Sequence, residues 1–158
     1  MNIPLDVKER LLFLLRVVDK ELVHLDYAAV QVFTRPFTLD SAKQLETDQA
    51  LALALEAFVS RFCRLQDTIG DKLLPAWLGA MGEKTSVLLI NLDKAEKLSL
   101  LASADTWIML RQLRNQMVHE YIEQHDILFN AIQVAYQHLN FVKDFAVRLK
   151  QAILDTLK

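Results

Sequence analysis

The sequence predicts an all-α protein, an antiparallel bundle of about four to five helices. Hydrophobic residues make up 53% of the 158 residues, while glycine and proline number only 3 each. This composition favours long helices with few turns and argues against disorder. The apolar residues also recur with the period of a helix that buries one face. The length fits a single helical domain over residues 1–158.

The N-terminal residues predict a long helix. Asp6 and Glu9 have the spacing of a capping box, a proline stands just ahead of them, and the pattern runs to about Val32. Within this helix, Leu11–Leu15 is apolar all the way round. We therefore expect this turn to be buried on more than one side, by neighbouring helices or by a subunit partner. A loop broken by Pro36 follows.

A second long helix is predicted to begin at Ser41, with Gln44 completing a capping box. Gly70 and Pro75 interrupt the pattern, so we expect a kink or a break there. Gly82 is typical of a helix C-terminus. The apolar residues that form the predicted core face of this helix are Leu45, Leu51, Leu55, Phe58, Phe62 and Leu65.

Two further helices precede the C-terminal one. The shorter runs from Ser86 to about Leu98, and the next is capped by Ser103 or Asp105. We expect that second helix to end around residues 121–124. Its predicted core residues are Trp107, Met109, Leu110 and Leu113.

The C-terminal residues predict one last helix. Asp126 is its predicted cap, and the pattern runs from Ile127 to about Leu157. Its apolar positions again follow the helical period and include Ile132, Ala135, Leu139, Val142 and Leu149.

Charge and cysteine content restrict the class of protein. The net charge is −2 with a pI of about 6.1, which argues against a protein that coats nucleic acid but leaves room for a local basic cleft. Cys63 is the only cysteine, so no internal disulfide forms, and we interpret it as a small core residue. Charged residues interrupt the N-terminus early and no apolar run is long enough to span a membrane. We therefore expect a soluble, cytoplasmic protein.

Residues 111–121 concentrate the side chains that are able to do chemistry. Arg114, Asn115, His119 and Tyr121 supply a permanent cation, an amide, a group that titrates near neutral pH and a phenol. On a helix, Asn115 and His119 share a face, and Arg111 lies one turn earlier on it. Arg114 lies roughly 140° around the axis from His119. A wrapped arginine, a helix ending near His119, or a second copy of this surface in a dimer would bring the two together.

His119 and Arg114 together have the capacities that RNA cleavage without a metal requires. An imidazole takes a proton from a ribose 2′-hydroxyl or gives one to a leaving oxygen. A guanidinium holds a phosphate with two hydrogen bonds and offsets charge that develops in the transition state. Asn115 would orient His119 or the phosphate. The alternative is structural: a histidine bonded to a carbonyl at a helix end, a bridging asparagine and a buried phenol at Tyr121.

The residues Arg114, Asn115, His119 and Tyr121 resemble the signature of the HEPN superfamily, specifically its HepT-like toxins. The motif of that group is Arg-x4-His-x-Tyr, with a polar residue after the arginine. The resemblance implies a HEPN-like helical domain and a homodimeric ribonuclease, in which Arg114 and His119 of both subunits face each other. It also implies an MNT-type nucleotidyltransferase antitoxin that attaches AMP to Tyr121, as in a type VII-like toxin–antitoxin pair.

Other sites were weighed against this one. Arg61 and Arg64, with Arg111, are candidates for phosphate binding, although Arg61 and Arg64 would equally form salt bridges with Glu56 or Asp67 on a solvated face. His24 and His138 stand singly among apolar residues, which predicts structural roles. A metal site is disfavoured because the two histidines lie six residues apart rather than four, although five residues with metal-binding side chains are clustered: His119, Glu120, Glu123, His125 and Asp126.

Two functions remain open from the sequence. The first is a metal-independent endoribonuclease toxin that acts on RNA and needs no cofactor. The second is a non-catalytic partner of a small nucleotidyltransferase, in which Arg114 and His119 bind a nucleotide or a substrate. The complete Arg, His and Tyr set favours the enzyme, and the acidic balance favours the binding protein.

Overall fold

A computed structural model describes residues 2–119 and 124–158, and the regular elements in these ranges are all helical. The predicted all-helical class is therefore confirmed, and the described ranges contain more helices than the four to five predicted. A π-helix, Thr68–Leu73, joins two of the α-helices and is called the π segment below. The α-helices are α1 (Leu5–Phe33), α2 (Leu39–Lys43), α3 (Gln49–Asp67), α4 (Leu74–Ala80), α5 (Leu88–Lys97), α6 (Ala104–His119), α7 (His125–Gln137) and α8 (Leu139–Thr156).

The start of α1 differs from the prediction. Pro4 is the N-cap, and no side chain caps the helix, so the predicted capping box of Asp6 and Glu9 is wrong. Proline needs no hydrogen bond for its own nitrogen and already has a helical φ, which suits it to a helix start. The turn Leu11–Leu15 is mostly buried against neighbouring helices, as predicted, but Phe13 is 45% exposed.

The second helix begins later than the sequence predicts. The hydroxyl of Thr38 accepts from the Ser41 backbone N–H and the Ser41 hydroxyl accepts from the Thr38 N–H, so this pair forms the capping box of the short helix α2. Gln44 then ends α2. A carboxylate oxygen of Asp48 accepts from the Leu51 N–H at 3.1 Å and caps α3. The predicted box of Ser41 with Gln44 is wrong because Thr38, one turn earlier, already supplies the reciprocal partner.

The predicted interruption at Gly70 and Pro75 takes the form of the π segment and not of a break. The chain continues from α3 through the π segment into α4, with Pro75 in the first turn of α4. Gly82 does end the helix, with φ of +80° and the Glu83 N–H donating to the Leu78 carbonyl at 2.9 Å. This pattern is a Schellman stop, as predicted for Gly82.

Side-chain hydrogen bonds position the start of each of the next two helices. The Asn91 amide bonds both backbone groups of Ser86, so Asn91 fixes the entry to α5, which begins slightly later than predicted. The Ser103 hydroxyl accepts from the Thr106 N–H at 3.0 Å, which confirms Ser103 rather than Asp105 as the cap of α6. Met109 was predicted to lie in the core but is 36% exposed.

The predicted C-terminal helix is two helices. The chain turns at His138, whose Nδ1 lies 2.8 Å from the Val134 carbonyl, and α7 begins at His125 instead of at Ile127. Asp126 is therefore inside the first turn of α7 and does not cap it. The five apolar positions predicted for this region are buried: Ile132, Ala135, Leu139, Val142 and Leu149.

The long helices pack antiparallel, as the paired residues show. Lys150 of α8 bonds Asp19 of α1 at 2.9 Å, and Lys143 pairs with Asp26 seven residues further along α1. The fully buried Trp107 of α6 packs edge-on against Phe145 of α8, with ring centroids 5.1 Å apart. In the part of the chain that is described, no helix has the length and apolar character needed to cross a membrane.

Candidate functional site

Helix α6 carries the predicted site along its exposed side. Leu110 and Met117 are buried and fix the helix against the core, while Arg114 and Asn115 are exposed. The helix is described through His119, although the placement of that side chain is not. The first residues of the motif therefore lie on solvent-facing positions of a helix that is anchored from beneath.

Arg114 is held by a carboxylate that the sequence analysis did not select. Its Nη2 donates to Asp67 Oδ2 at 3.0 Å and its Nη1 lies 3.4 Å from Asp67 Oδ1. Asp67 is the last residue of α3, so this fork crosses from α3 to α6. The side chains of Arg114 and Asp67 are 45% and 33% exposed, which leaves part of the guanidinium open to solvent. A two-pronged contact of this kind fixes the plane of a guanidinium as well as its position.

Arg111 makes a second ion pair, this time from α6 to the π segment. Its Nη1 donates to Asp71 Oδ1 at 2.8 Å, and this hydrogen bond raises the pKa of the guanidinium above its ordinary value. Arg111 precedes Arg114 on α6, whereas Asp71 follows Asp67, as expected for antiparallel helices. Arg111 was predicted to bind phosphate, but in this structure its guanidinium contacts a carboxylate.

Close packing below these ion pairs sets how α6 approaches the π segment. A Cβ atom added to Gly70 would lie 3.2 Å from Trp107 Nε1 and 3.3 Å from a methyl carbon of Leu88. Both distances are tighter than ordinary contacts. Glycine at this position therefore lets the fully buried Trp107 ring sit against the backbone of the π segment.

Cys63 lies one turn before Asp67 and behaves as a core residue. The side chain is buried, and burial raises the pKa of its thiol, while the nearby Arg114 guanidinium opposes that effect. A thiol whose pKa is raised is a poor nucleophile near neutral pH. This supports the structural interpretation of Cys63.

Arg61 and Arg64 do not form the salt bridges that were the predicted alternative. Asp67 is engaged by Arg114, and among the described residues neither arginine pairs with a carboxylate. Arg61 Nη1 instead donates to the His24 carbonyl of α1 at 2.8 Å, and Arg64 Nη2 lies 3.5 Å from the Ser60 hydroxyl.

These two arginines line a cleft between α1 and α3, here called the α1–α3 cleft, with a volume of about 210 Å³ and Glu21 and His24 on its other wall. His24 is exposed, so it does not play the structural role predicted for it. The Glu21 side chain is half-buried; its Oε1 accepts from the Thr68 hydroxyl at 2.8 Å. Burial raises the pKa of Glu21, and the hydrogen bond from Thr68 and the charge of Arg64 oppose the shift.

Part of the predicted site falls outside the described residues. Tyr121, the predicted AMP acceptor, lies there, as do Glu120 and Glu123 of the metal cluster. Within residues 2–119 and 124–158, no group of three or more His, Cys, Asp or Glu side chains is arranged to hold a metal ion. The predicted end of the motif helix also falls in this gap.

Comparison with known proteins identifies no relative of this chain. No protein-family model, curated protein or solved structure matches the chain. The resemblance to the HEPN superfamily accordingly depends on the motif residues Arg114, Asn115, His119 and Tyr121 alone.

Proposed function

We propose that the chain is a metal-independent endoribonuclease toxin of the HEPN class that acts as a homodimer. The observation that carries the proposal is the anchored guanidinium of Arg114. It is held at 3.0 Å by Asp67, it is 45% exposed, and it stands at the motif position that would bind the scissile phosphate. A preorganised cation at the surface stabilises charge in a transition state without reorganising during the reaction.

Each motif residue has a role in the proposed cleavage. His119 takes the proton of the ribose 2′-hydroxyl or supplies one to the 5′-oxygen that leaves, and Arg114 binds the phosphate between them. The 2′-oxygen attacks the adjacent phosphorus as the bond to the 5′-oxygen breaks. The exposed amide of Asn115 orients the phosphate or the imidazole.

The regular helix that carries the motif supports the proposed dimer. Because α6 is helical through His119, its backbone positions at Arg114 and His119 are separated by about 140° around the axis. One copy of α6 therefore presents these two positions on different faces. Two copies that face each other across a symmetry axis would place the arginine of one subunit beside the histidine of the other.

RNA cleavage by single-residue variants tests this proposal. We expect His119→Ala and Arg114→Ala each to lower the cleavage rate of purified protein by about 10² to 10⁴-fold, because each removes one of the two required capacities. Arg16→Ala, an exposed arginine on α1, is the matched control and should cleave normally. Wild-type cleavage by a folded His119→Ala protein would contradict the proposal, and so would activity that a chelator abolishes and zinc restores.

The same proposal includes a nucleotidyltransferase antitoxin of the MNT type that modifies Tyr121. AMP on that phenol would add bulk and a phosphate close to Arg114 in the chain, competing with RNA. Tyr121→Phe keeps the ring and removes the acceptor oxygen, so it should cleave RNA and escape neutralisation in cells that express the antitoxin. Full rescue of growth, with no adduct on wild-type protein by mass spectrometry, would show that inhibition works by binding alone.

A non-catalytic partner of a nucleotidyltransferase is the second candidate, and one observation favours it. Both terminal nitrogens of Arg114 face Asp67, so the ion pair offsets part of the charge that catalysis would use. Growth on expression of the chain alone separates the two candidates. Toxicity that His119→Ala removes supports the ribonuclease, whereas harmless expression with tight nucleotide binding supports the partner.

A further inference from the structure

The α1–α3 cleft is built differently from the surface around Arg114. Its walls come from two antiparallel helices, with Glu21 and His24 on α1 and Arg61 and Arg64 on α3. Two guanidiniums thus stand one turn apart beside a hollow of about 210 Å³. This volume suits a phosphoryl group with part of an attached sugar.

The charge of these two arginines is not offset by an ion pair within the described ranges. The bond from Arg61 to the His24 carbonyl orients the guanidinium without neutralising it, because a carbonyl carries no net charge. Arg64 is exposed and lies 3.5 Å from a serine hydroxyl. Oriented guanidiniums with uncompensated charge are the donors that bind phosphate in proteins.

Glu21 is the one carboxylate among the residues that line the cleft, and it does not block this role. Its Oε1 is occupied by the Thr68 hydroxyl. Its Oε2 is shielded from solvent and has no hydrogen-bond partner among the described residues. The carboxyl group therefore makes no hydrogen bond to either arginine, although its charge lies close enough to Arg64 for that guanidinium to oppose the rise in the pKa of Glu21.

The cleft arginines lie close, along the axis of α3, to the residue that holds Arg114. Arg64 precedes Asp67 by three residues on α3, which is a rise of about 4.5 Å along the helix axis, and Arg61 lies about 9 Å from Asp67 along the same axis. Since Asp67 forms an ion pair with Arg114, a ligand that carries several phosphates would contact guanidiniums both in the cleft and at Arg114.

We propose that Arg61 and Arg64 form a phosphate subsite that binds the backbone of single-stranded RNA, next to the phosphate held by Arg114. This inference rests on the proposed ribonuclease function and deepens it. Contacts to the backbone position an RNA without selecting its sequence. The subsite thus sets where the strand lies, and the anchored arginine acts on a neighbouring phosphate.

Binding of a labelled RNA tests the subsite without cleavage. The probe is a fluorescein-labelled 12-nucleotide single-stranded RNA, and every protein carries His119→Ala. We expect Arg61→Gln with Arg64→Gln to weaken binding about tenfold. The slope of log affinity against log salt should fall by about 0.7 for the lost phosphate contact. Arg10→Gln with Arg16→Gln is the control, because it removes the same charge from exposed positions on α1. This variant should show neither the tenfold loss of RNA affinity nor the smaller salt slope.

Several results would overturn the subsite. Equal affinities for the cleft variant and for the Arg10 and Arg16 control would show that only net charge matters. A second result would assign the cleft to a mononucleotide. In that case AMP would compete with RNA on the parent protein but not on the cleft variant, and the two proteins would bind RNA with equal affinity. Circular dichroism checks that the variant is folded, and Arg61→Lys with Arg64→Lys should recover part of the affinity.

Cleavage kinetics distinguish a failure of the proposed subsite from a failure of the proposed ribonuclease function. In an otherwise wild-type chain, the Arg61→Gln and Arg64→Gln protein should show a higher KM with kcat nearly unchanged, because the subsite binds substrate and does not touch the reacting atoms. Normal kinetics beside an inactive Arg114→Ala protein would refute the subsite alone. No RNA binding by the parent protein together with full activity of Arg114→Ala would refute both proposals.

Discussion

Two pairs of arginines differ in what they contact. Arg111 and Arg114, the paired arginines, extend from α6 and contact Asp71 of the π segment and Asp67 of α3 at 2.8 and 3.0 Å. The cleft arginines, Arg61 and Arg64, stand on α3 itself and form no ion pair among the described residues. Pairing fixes a guanidinium in space but offsets its charge. An unpaired guanidinium keeps its charge and gains a partner only when an anion arrives.

The difference between these pairs indicates a division of labour in the proposed ribonuclease. Placement matters most for a cation that stabilises a transition state, because misplacement by about 1 Å costs roughly 10²-fold in rate. Charge matters most for a cation that recruits a polyanion, since released counterions drive that binding. Asp67 therefore holds Arg114 where placement is required, and among the described residues no carboxylate forms an ion pair with the cleft arginines.

The largest expected effect breaks one of the two ion pairs. Asp67→Asn removes the charge that orients Arg114, so we expect kcat for RNA cleavage to fall by about 10²-fold while RNA affinity stays equal or increases. Asp71→Asn is the matched control, because it makes the same charge change at Arg111, and it should lower kcat far less. Equal losses in the two variants would mean that the paired arginines are not functionally distinct.

The next effect concerns the packing that brings α6 to α3. Gly70→Ala should lower the free energy of unfolding by about 1–2 kcal/mol, since the new methyl would press on the buried Trp107 ring and on Leu88. Gly79→Ala is the control, because its added carbon would contact only a methyl group of Thr85 at 3.8 Å. This variant should raise the free energy of unfolding by up to about 1 kcal/mol, since alanine favours the helix. Denaturant unfolding measures both. A more stable Gly70→Ala protein would show that Trp107 has room to move.

A smaller effect, expected to be under about 1 kcal/mol, follows from the burial of Glu21 in the cleft wall. Because burial raises the pKa of Glu21 above 4.5, its favourable contribution is complete below that pH and is lost as the pH rises through the folded-state pKa. Glu21→Gln cannot ionise. It should melt at a higher temperature than wild type at pH 7, and the advantage should disappear near pH 4. An advantage that persists at pH 4 would assign the effect to something other than ionisation.

The smallest effect is expected at Cys63, which approaches Arg114 from the core. Cys63→Ala should change the cleavage rate by less than about twofold, because the ion pair with the Asp67 carboxylate holds Arg114 more strongly than its contact with a neutral thiol. Initial rates on the same RNA measure this. A loss comparable to that of Asp67→Asn would mean that the thiol also positions the guanidinium.

Periodicity predicted much of the fold because it reports which face of each helix is buried. Phe58 and Phe62 of α3, and Ile132 and Val142 near the C-terminus, lie in the core as the pattern requires. Local hydrogen bonds decide where each helix ends, and several neighbouring residues are able to supply each cap. That is why the capping box formed at Thr38, with Ser41 as its second member rather than its first.

Other features depend on how distant residues meet, which no local pattern contains. Asp67 and Arg114 are 47 residues apart, and their contact exists only because α3 packs antiparallel to α6. Asp67 and Asp71 have nearly the same spacing as Arg111 and Arg114. This match predicts two ion pairs only once α6 is known to lie beside α3 and the π segment. The π segment was also missed, since its backbone bonds leave no trace in the order of polar and apolar side chains.

The π segment also determines how the sequence between α3 and α4 responds to a change in length. A π turn takes up one residue more than an α turn, so the helices on either side keep the faces that an uninterrupted α-helix one residue shorter would give them. Loss of a single residue within Thr68–Leu73 would favour that uninterrupted helix, with Trp77 and Leu78 still in the core and Asp67 still beside Arg114. Loss of one residue from the regular part of α3 would instead rotate the residues that follow by about 100° relative to those before it. A one-residue deletion within the π segment should therefore be less damaging than the same deletion in the middle of α3.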